Sequence, residues 1–120
     1  MMNRWVLLEH KVSSNKNVDI HYDFLVEDEI DCLTWKLFKL PSLNNGFVAI
    51  VKQPNHRLVW LSRVNHKLSR NRGFVKRVDY GSFINVFEKS ESQDLRIILD
   101  GELLNGFFEI SGDFCRLTKK

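Results

Sequence analysis

The chain has 120 residues, the size of a single domain spanning residues 1–120, which can bury a hydrophobic core without disulfides or a structural metal. Apolar residues make up 43% of the sequence and aromatic residues 12%, so an intrinsically disordered chain is excluded. The formal charge is only +3, a value too small to identify a partner by itself.

The sequence predicts a cytoplasmic protein with no membrane partner. No segment approaches the roughly 20 apolar residues that a membrane span requires, and the apolar stretch near the amino terminus is too short for a signal peptide. Only two cysteines occur, Cys32 and Cys115, and neither belongs to a Cys-x-x-Cys pair. A reducing compartment, with both thiols in or beside the core, is the simpler interpretation, and a single disulfide is the alternative.

Segments of strand length and composition recur along the chain between clusters of turn-forming residues. Nine are predicted as strands: Trp5–Glu9, His21–Glu27, Cys32–Lys39, Phe47–Lys52, Phe74–Val78, Phe83–Phe87, Leu95–Leu99, Gly106–Ile110 and Phe114–Thr118. Turns are predicted at Gln53–Asn55 and Tyr80–Ser82, and Leu58–Arg72 is predicted as a short helical turn or a basic loop. The fold class is therefore mainly β, a small antiparallel β-barrel with short helical turns or loops, with a sandwich as the alternative.

Positive charge is concentrated in one region of the chain. Lys and Arg residues recur between Lys52 and Arg77 without any acidic residue, whereas acidic residues lie mainly in Asp19–Asp31 and Asp79–Glu109. Such a basic region attracts phosphate backbones, or it is a solvated loop whose charges only aid solubility. The sequence favours neither interpretation.

The predicted strand His21–Glu27 carries the residues with the clearest chemistry. Alternate side chains of a strand point to the same face, so His21 and Asp23 share one face of it. An imidazole and a carboxylate two residues apart can bind one divalent ion, and their donor atoms suit Mn²⁺, Fe²⁺ or Zn²⁺. His10, at the end of the first predicted strand, is a candidate third ligand. A solvent-exposed strand face is the alternative for the same pattern.

Five segments of the sequence carry a series of family-like motifs. They are His21-Tyr22-Asp23-Phe24-Leu25-Val26-Glu27, Trp35-Lys36-Leu37-Phe38-Lys39-Leu40-Pro41-Ser42, Asn55-His56-Arg57-Leu58, Gly73–Phe83 and Leu99-Asp100-Gly101-Glu102-Leu103-Leu104-Asn105-Gly106. In this order they resemble a His-Tyr-Asp-Phe-Arg-Leu-Glu strand, a Trp-containing strand with a Lys-Gly-Pro-Ser turn, an Asp-His-Pro-Leu element, a Tyr-Gly-Ala-Gly stretch and a Leu-x-Gly-x-x-Leu-x-Gly pattern. These five motifs are typical of the 3′-phosphoesterase domain of bacterial DNA ligase D. The chain resembles that domain, or a small stand-alone relative of it, over roughly residues 6 to 112.

The resemblance implies a small antiparallel β-barrel that trims nucleic-acid 3′ ends in DNA repair, through Mn²⁺-dependent removal of a 3′-phosphate or a 3′-ribonucleotide. His10, His21 and Asp23 would be the metal ligands. His56 would contact the scissile phosphate, and Lys39 would help to hold it. The implied partners are DNA or RNA 3′ ends and a separate DNA ligase or end-joining protein. A divalent metal suits this reaction, because it neutralises phosphate charge and lowers the pKa of a bound water.

The chain departs from the family pattern around the expected phosphate site. Leu25 replaces an Arg, Trp60 replaces a Tyr and Val48 replaces a basic residue. The segment Lys11–Ile20, between the first two histidines, is also a longer loop than the family shows. An inactive relative that binds nucleic acid or a repair partner is therefore the alternative function.

Nucleic-acid binding is predicted for the basic region, where cationic side chains would track the phosphate backbone and one Trp would stack on a base. The residues are Arg57, Trp60, Arg63, Lys67, Arg70 and Arg72. Core packing is the more ordinary interpretation of Trp60. His66 matches nothing in the family pattern and is expected on the surface.

Overall fold

The computed structural model describes residues 3–14, 17–68, 72–86 and 94–120. These residues form nine strands and one 3₁₀ helix: β1 (Arg4–Ser14), β2 (Asn17–Glu27), β3 (Cys32–Leu37), β4 (Val48–His56), the 3₁₀ helix (Leu58–Ser62), β5 (Asn65–Lys67), β6 (Phe74–Asn85), β7 (Leu95–Asp100), β8 (Asn105–Ser111) and β9 (Phe114–Thr118). The prediction of a mainly β fold is confirmed. Within these ranges, no helix has the length and apolar character needed to cross a membrane.

The strands form one antiparallel sheet in the order β1-β2-β3-β4-β9-β8-β7-β6-β5. The sheet closes into a ring because β1 also pairs with the first part of β6, from Arg4 opposite Ser82 to Lys11 opposite Phe74. The last part of β6 pairs with β7 instead. The short strand β5 pairs with the beginning of β6, beside the ring.

The interior of the ring is a hydrophobic core to which all eight strands of the ring contribute side chains. Its centre is aromatic: the ring of Phe24 lies 4.5 Å from that of Phe108 and 5.9 Å from that of Trp5, measured between centroids. Side chains alternate between the two faces of each strand, so the period-two apolar pattern of the sequence encloses this core.

A second apolar cluster, which we call the outer cluster, lies on the opposite face of β1 and β2. It consists of Val6, Leu8, Leu25, Cys32, Leu61 and Val75. Leu61 comes from the 3₁₀ helix, which thereby covers the outside of the sheet at this point. Strand β1 is consequently buried on both faces, because Trp5 and Leu7 point into the ring while Val6 and Leu8 point into the outer cluster.

The predicted turn at Tyr80–Ser82 is wrong, because β6 runs unbroken from Phe74 to Asn85. Gly81 permits a close approach within the strand rather than a turn. A Cβ at this position would clash with Asp100 Oδ1 and lie 3.2 Å from Trp5 Nε1. The predicted strand Phe83–Phe87 is the end of β6 as far as Asn85, and Phe87 itself lies outside the described residues.

The predicted turn at Gln53–Asn55 is also wrong, since β4 continues from Val48 to His56. The pairing of β3 with β4 shifts register between Cys32 and Thr34. Pro54 lies at this irregularity. Proline has no amide hydrogen, and a strand tolerates it at an irregularity or at an edge. The segment Leu58–Arg72, for which a helical turn or a basic loop was expected, contains the 3₁₀ helix and then β5.

Both cysteines are free and buried, Cys32 in the outer cluster and Cys115 in the core of the ring. Burial raises the pKa of the Cys32 thiol to about 11 and that of the Cys115 thiol to about 12. Both side chains are therefore protonated at neutral pH and pack as small apolar groups.

Candidate metal centre

The β1–β2 hairpin brings two of the predicted ligands together. The segment Lys11–Ile20, expected as a loop, instead forms the two arms of this hairpin wherever it is described, and His10 lies directly opposite His21 in the pairing. Alternation along β1 places His10 on the same face as Leu8, and alternation along β2 places Asp23 on the same face as Leu25. The three candidate ligands therefore continue the face of the sheet on which the outer cluster lies.

The donor atoms of these three side chains converge. His10 Nδ1 lies 3.1 Å from His21 Nε2, and His21 Nε2 lies 3.5 Å from Asp23 Oδ1. One donor atom from each residue lies within 4.8 Å of the other two. Two imidazole nitrogens and one carboxylate oxygen form a donor set that suits Mn²⁺, Fe²⁺ or Zn²⁺ and leaves coordination positions open. The residues present thus fit a divalent metal.

The hydrogen bond at the far side of His10 fixes its tautomer. His10 Nε2 lies 2.7 Å from the carbonyl oxygen of Arg72, and a carbonyl can only accept, so Nε2 carries the proton and donates it. When the ring is neutral, Nδ1 is left with a lone pair directed at His21 Nε2. Histidines that bind metals commonly donate their second ring N–H to a carbonyl or carboxylate in this way.

His21 is held less completely than His10. Its Nδ1 is buried and has no hydrogen-bond partner among the described residues. In the arrangement present, its Nε2 donates to the lone pair of His10 Nδ1, which leaves Nδ1 as the buried acceptor. A metal at Nε2 would move the ring proton to Nδ1.

Burial controls the protonation of the centre. The side chains of His21 and Asp23 are only 15% and 13% exposed. Burial lowers the pKa of His21 below its usual value, although the nearby carboxylate of Asp23 opposes this shift. Burial also raises the pKa of Asp23 above its usual value, against the opposing effect of the nearby cationic and imidazole groups. Both shifts favour the uncharged forms of the two side chains.

A cleft of about 190 Å³ opens beside the candidate ligands. Its lining residues are Leu8, His10, Asp23, His56, Trp60, Leu68, Arg72 and Val75. His56 Nδ1 lies 3.1 Å from the carbonyl oxygen of Pro54 and so donates to it, which leaves Nε2 as the nitrogen available to a ligand. The cleft therefore places a third imidazole, that of His56, next to the candidate ligands, together with Trp60 and Arg72.

Trp60 is the centre of an aromatic and cationic group. The rings of His56 and His66 meet it edge-on, with centroids 6.1 and 5.7 Å away, and the guanidinium of Arg63 lies 5.5 Å from its ring. Arg63 Nη1 donates to His66 Nδ1 over 3.3 Å. His66, expected on the surface, is thus half-buried against Trp60.

The structure distributes the remaining predicted residues more widely. Lys39 is exposed, follows the end of β3 and does not line the cleft. Arg57 and Lys67 are exposed on the segment that includes the 3₁₀ helix and β5, and Arg70 lies outside the described residues.

Leu25 and Val48, two of the residues at which the chain departs from the family pattern, lie in different parts of the fold. Leu25 is fully buried in the outer cluster on the same face as Asp23, so an apolar surface adjoins the metal centre at that position. Val48 belongs to the core of the ring and not to the outer cluster. The position of Val48 therefore contributes nothing to the cleft.

Lys36, which does not line the cleft, is a cation beside the candidate ligands that was not predicted from the sequence. It lies directly opposite Asp23 in the β2–β3 pairing, so the two side chains project from the same face of the sheet. Its position between Trp35 and Leu37, both in the core of the ring, was a signal that it points outward. The β2–β3 register that places Lys36 opposite Asp23 could not be predicted from the sequence.

No protein-family model matches the chain, and no curated protein matches it. The candidate ligands and the cleft are thus characterised by their own geometry and chemistry.

Proposed function

We propose that the protein is a Mn²⁺-dependent phosphoesterase that processes 3′ ends of nucleic acids, carrying a 3′-phosphate or a 3′-ribonucleotide, in DNA repair. The observation that supports this proposal is the convergence of His10, His21 and Asp23 at a cleft that is also lined by His56 and a basic residue. The proposal includes the finer fold assignment, in which the closed ring of strands is a small β-barrel of the ligase D phosphoesterase type.

In this mechanism His10, His21 and Asp23 hold the metal. When bound, Mn²⁺ supplies charge neutralisation for the phosphate and lowers the pKa of a coordinated water. His56 directs Nε2 at the phosphate, and because its Nδ1–H is already donated to Pro54, it gives an Nε2–H to the phosphate from the doubly protonated ring. A positioned cationic or N–H donor lowers the energy of the transition state as negative charge develops on the phosphoryl oxygens.

The reaction is a hydrolysis whose atoms balance with water alone. A water oxygen forms a bond to phosphorus, and the bond between phosphorus and the 3′ oxygen breaks. The 3′ oxygen takes up a proton, so the products from a 3′-phosphate are a 3′-hydroxyl end and orthophosphate. A 3′-hydroxyl is the end that a ligase or polymerase requires, so the proposed partner is a separate DNA ligase or end-joining protein. The proposed location is the cytoplasm.

The nucleic acid would lie along the cleft and along the neighbouring segment that carries the 3₁₀ helix and β5. The cations of this segment attract the phosphate backbone, and Trp60 offers an aromatic surface beside the candidate ligands. Trp60 and Arg72 line the cleft, whereas Arg57, Arg63 and Lys67 lie on the segment outside its lining. Arg70 was predicted from the sequence to bind nucleic acid and lies outside the described residues, so its role stays a prediction.

Oligonucleotide assays test this function. We expect metal-stripped protein to regain activity on a 3′-phosphate or 3′-ribonucleotide primer-template when Mn²⁺ is added, and EDTA to abolish it. The variant His21→Ala should lose both Mn²⁺ binding, measured by calorimetry, and turnover, while circular dichroism shows that it is folded. Activity that persists in EDTA, or none on any such substrate, would contradict the proposal.

The burial of Leu25 favours a second candidate, a nucleic-acid-binding module without catalysis. An apolar side chain occupies a position beside the centre where a charged phosphate contact is expected, and loss of one such contact can cost about a hundredfold or more in rate. This candidate predicts binding of DNA or RNA that weakens steeply with salt and is unaffected by EDTA. No binding at low salt would eliminate it.

Metal binding should weaken as the pH falls. A ligand nitrogen or oxygen must be unprotonated to bind a metal. His21, whose burial lowers its pKa below the usual 6.5, is in its binding form at pH 7 and becomes protonated on acidification, and Asp23, whose burial raises its pKa above the usual 3.8, takes up its proton at a higher pH than an exposed aspartate. Each competing proton costs about tenfold in affinity per pH unit below the pKa of its ligand. Calorimetric titration with Mn²⁺ at pH 7 and pH 4.5 should show this loss, and equal affinities would contradict it.

A further inference from the structure

Lys36 is a cation built into the face that carries the candidate metal centre. Its Cα is the cross-strand partner of that of Asp23, and residues opposite each other on neighbouring strands project from the same face. The side chain is half-buried. Burial has the largest effect on the pKa of both ligands on β2, raising that of Asp23 and lowering that of His21, and the charge of Lys36 acts on both in the lowering direction.

No described residue forms an ion pair with this cation. Among the described residues, no carboxylate forms a salt bridge with Lys36. Its Nζ lies 5.4 Å from the centroid of the Phe38 ring. A half-buried cation beside a site for a second cation is unfavourable in itself, because like charges repel more strongly where water is partly excluded. An anion that contacts both cations removes this repulsion.

The charge of that anion follows from the charges around it. Coordinating imidazoles are neutral, so the centre contains the single negative charge of Asp23 and the positive charge of Lys36, which cancel, and then the two positive charges of the metal. Arg72, in the lining of the cleft, adds a further positive charge. A terminal phosphate monoester, with close to two negative charges at neutral pH, therefore neutralises more of the charge of the loaded centre than a phosphodiester, which has one.

We propose that Lys36 binds the phosphate of the substrate and makes the centre selective for a terminal 3′-phosphate over a 3′-phosphodiester. This inference rests on the proposed function and adds the class of substrate to it. The reaction is the hydrolysis described above, with the 3′-hydroxyl end and orthophosphate as products. Lys36 takes the place of the charged contact that Leu25 cannot make, but from the neighbouring strand β3.

The test compares Lys36→Met with Lys36→Arg, which keeps the charge, and with Lys119→Met, an exposed site near the carboxyl terminus. Without phosphate, Lys36→Met should bind Mn²⁺ several-fold more tightly, because a repelling charge is gone. In the presence of Mn²⁺, its affinity for inorganic phosphate should fall about tenfold or more. Lys36→Arg and Lys119→Met should match the wild type in both calorimetric measurements.

Activity provides the second readout. The wild type should hydrolyse an oligonucleotide 3′-phosphate with a kcat/KM well above that for a 3′-terminal methyl phosphodiester. In Lys36→Met, kcat/KM should fall about a hundredfold for the monoester and much less for the diester. Unchanged phosphate affinity and unchanged preference in Lys36→Met, with an active wild type, would overturn the role of Lys36 alone. An inactive wild type on both substrates would overturn the proposed function, and phosphate binding that still depends on Lys36 would then support its role as an anion ligand.

Discussion

Replacing Asp23 with asparagine should abolish tight Mn²⁺ binding and at the same time make the metal-free protein more stable. Burial raises the pKa of this carboxyl in the folded state above its value in the unfolded chain. The folded protein therefore binds the proton more strongly than the unfolded chain, and ionisation at pH 7 costs folding free energy. Asparagine has the same shape without the charge, so the cost disappears together with the metal ligand.

Thermal melts with and without metal measure this prediction. In EDTA, Asp23→Asn should melt a few degrees above the wild type, which corresponds to about 1 kcal/mol for a domain of this size. With excess Mn²⁺ the order should reverse, because only the wild type is stabilised by ligand binding. A residue that destabilises the folded protein unless a metal is present is explained by function and not by packing.

Asp113→Asn is the matched control. Asp113 is an exposed aspartate in the turn between β8 and β9, and its carbonyl oxygen, rather than its carboxylate, accepts from Ile50 N. This variant should leave Mn²⁺ affinity and both melting temperatures unchanged. A wild-type Mn²⁺ affinity in Asp23→Asn, or a lower melting temperature than the wild type in EDTA, would show that Asp23 has a structural role instead.

Asp79→Ala should destabilise the fold more than any substitution in the metal centre. Asp79 is 4% exposed and its carboxylate accepts four backbone N–H groups. Oδ1 accepts from Tyr80 at 3.0 Å and Glu102 at 3.1 Å, and Oδ2 accepts from Leu103 at 2.9 Å and Leu104 at 2.8 Å. These bonds attach the turn between β7 and β8 to β6.

The expected loss is about 3–5 kcal/mol, since alanine leaves one buried and three part-buried donors without their acceptor. The turn has little freedom to move away, because Gly101 lies so close to the ring of Trp5 that a Cβ would come within 2.6 Å of it. Urea denaturation should show the loss as a lower midpoint, whereas Asp113→Ala should not change the midpoint. A loss below about 1 kcal/mol would mean that water replaces the carboxylate at the turn.

The face of the metal centre could be predicted in part from the sequence. Alternation along one strand is a local property, and it correctly places His21 and Asp23 on one side with the aromatic core residues on the other. His10 was a candidate third ligand from its place at the end of the first predicted strand and from the resemblance, and its pairing with His21 depends on the hairpin register. Lys36 and His66 were missed, because each meets the site only through a neighbouring strand or through Trp60.

The misplaced turns have a common physical origin. Gly81 and Pro54 are residue types that often mark turns, and nothing adjacent to them in the sequence indicates otherwise. In the fold, Gly81 lies against Trp5 and Asp100, and Pro54 lies where the β3–β4 pairing is irregular. The contacts and the pairing that place Gly81 and Pro54 within strands involve residues distant from them in the sequence.

The sequence by itself determined the β class, the apolar faces that enclose the core and the chemical types of the candidate ligands, because these follow from alternation and composition along short segments. Only the tertiary structure decided which strands pair, and so it alone brought Lys36 to Asp23, His56 to the cleft and the outer cluster under the 3₁₀ helix. The reason is that strand register is set by long-range packing, and a change of one residue in register moves a side chain to the other face.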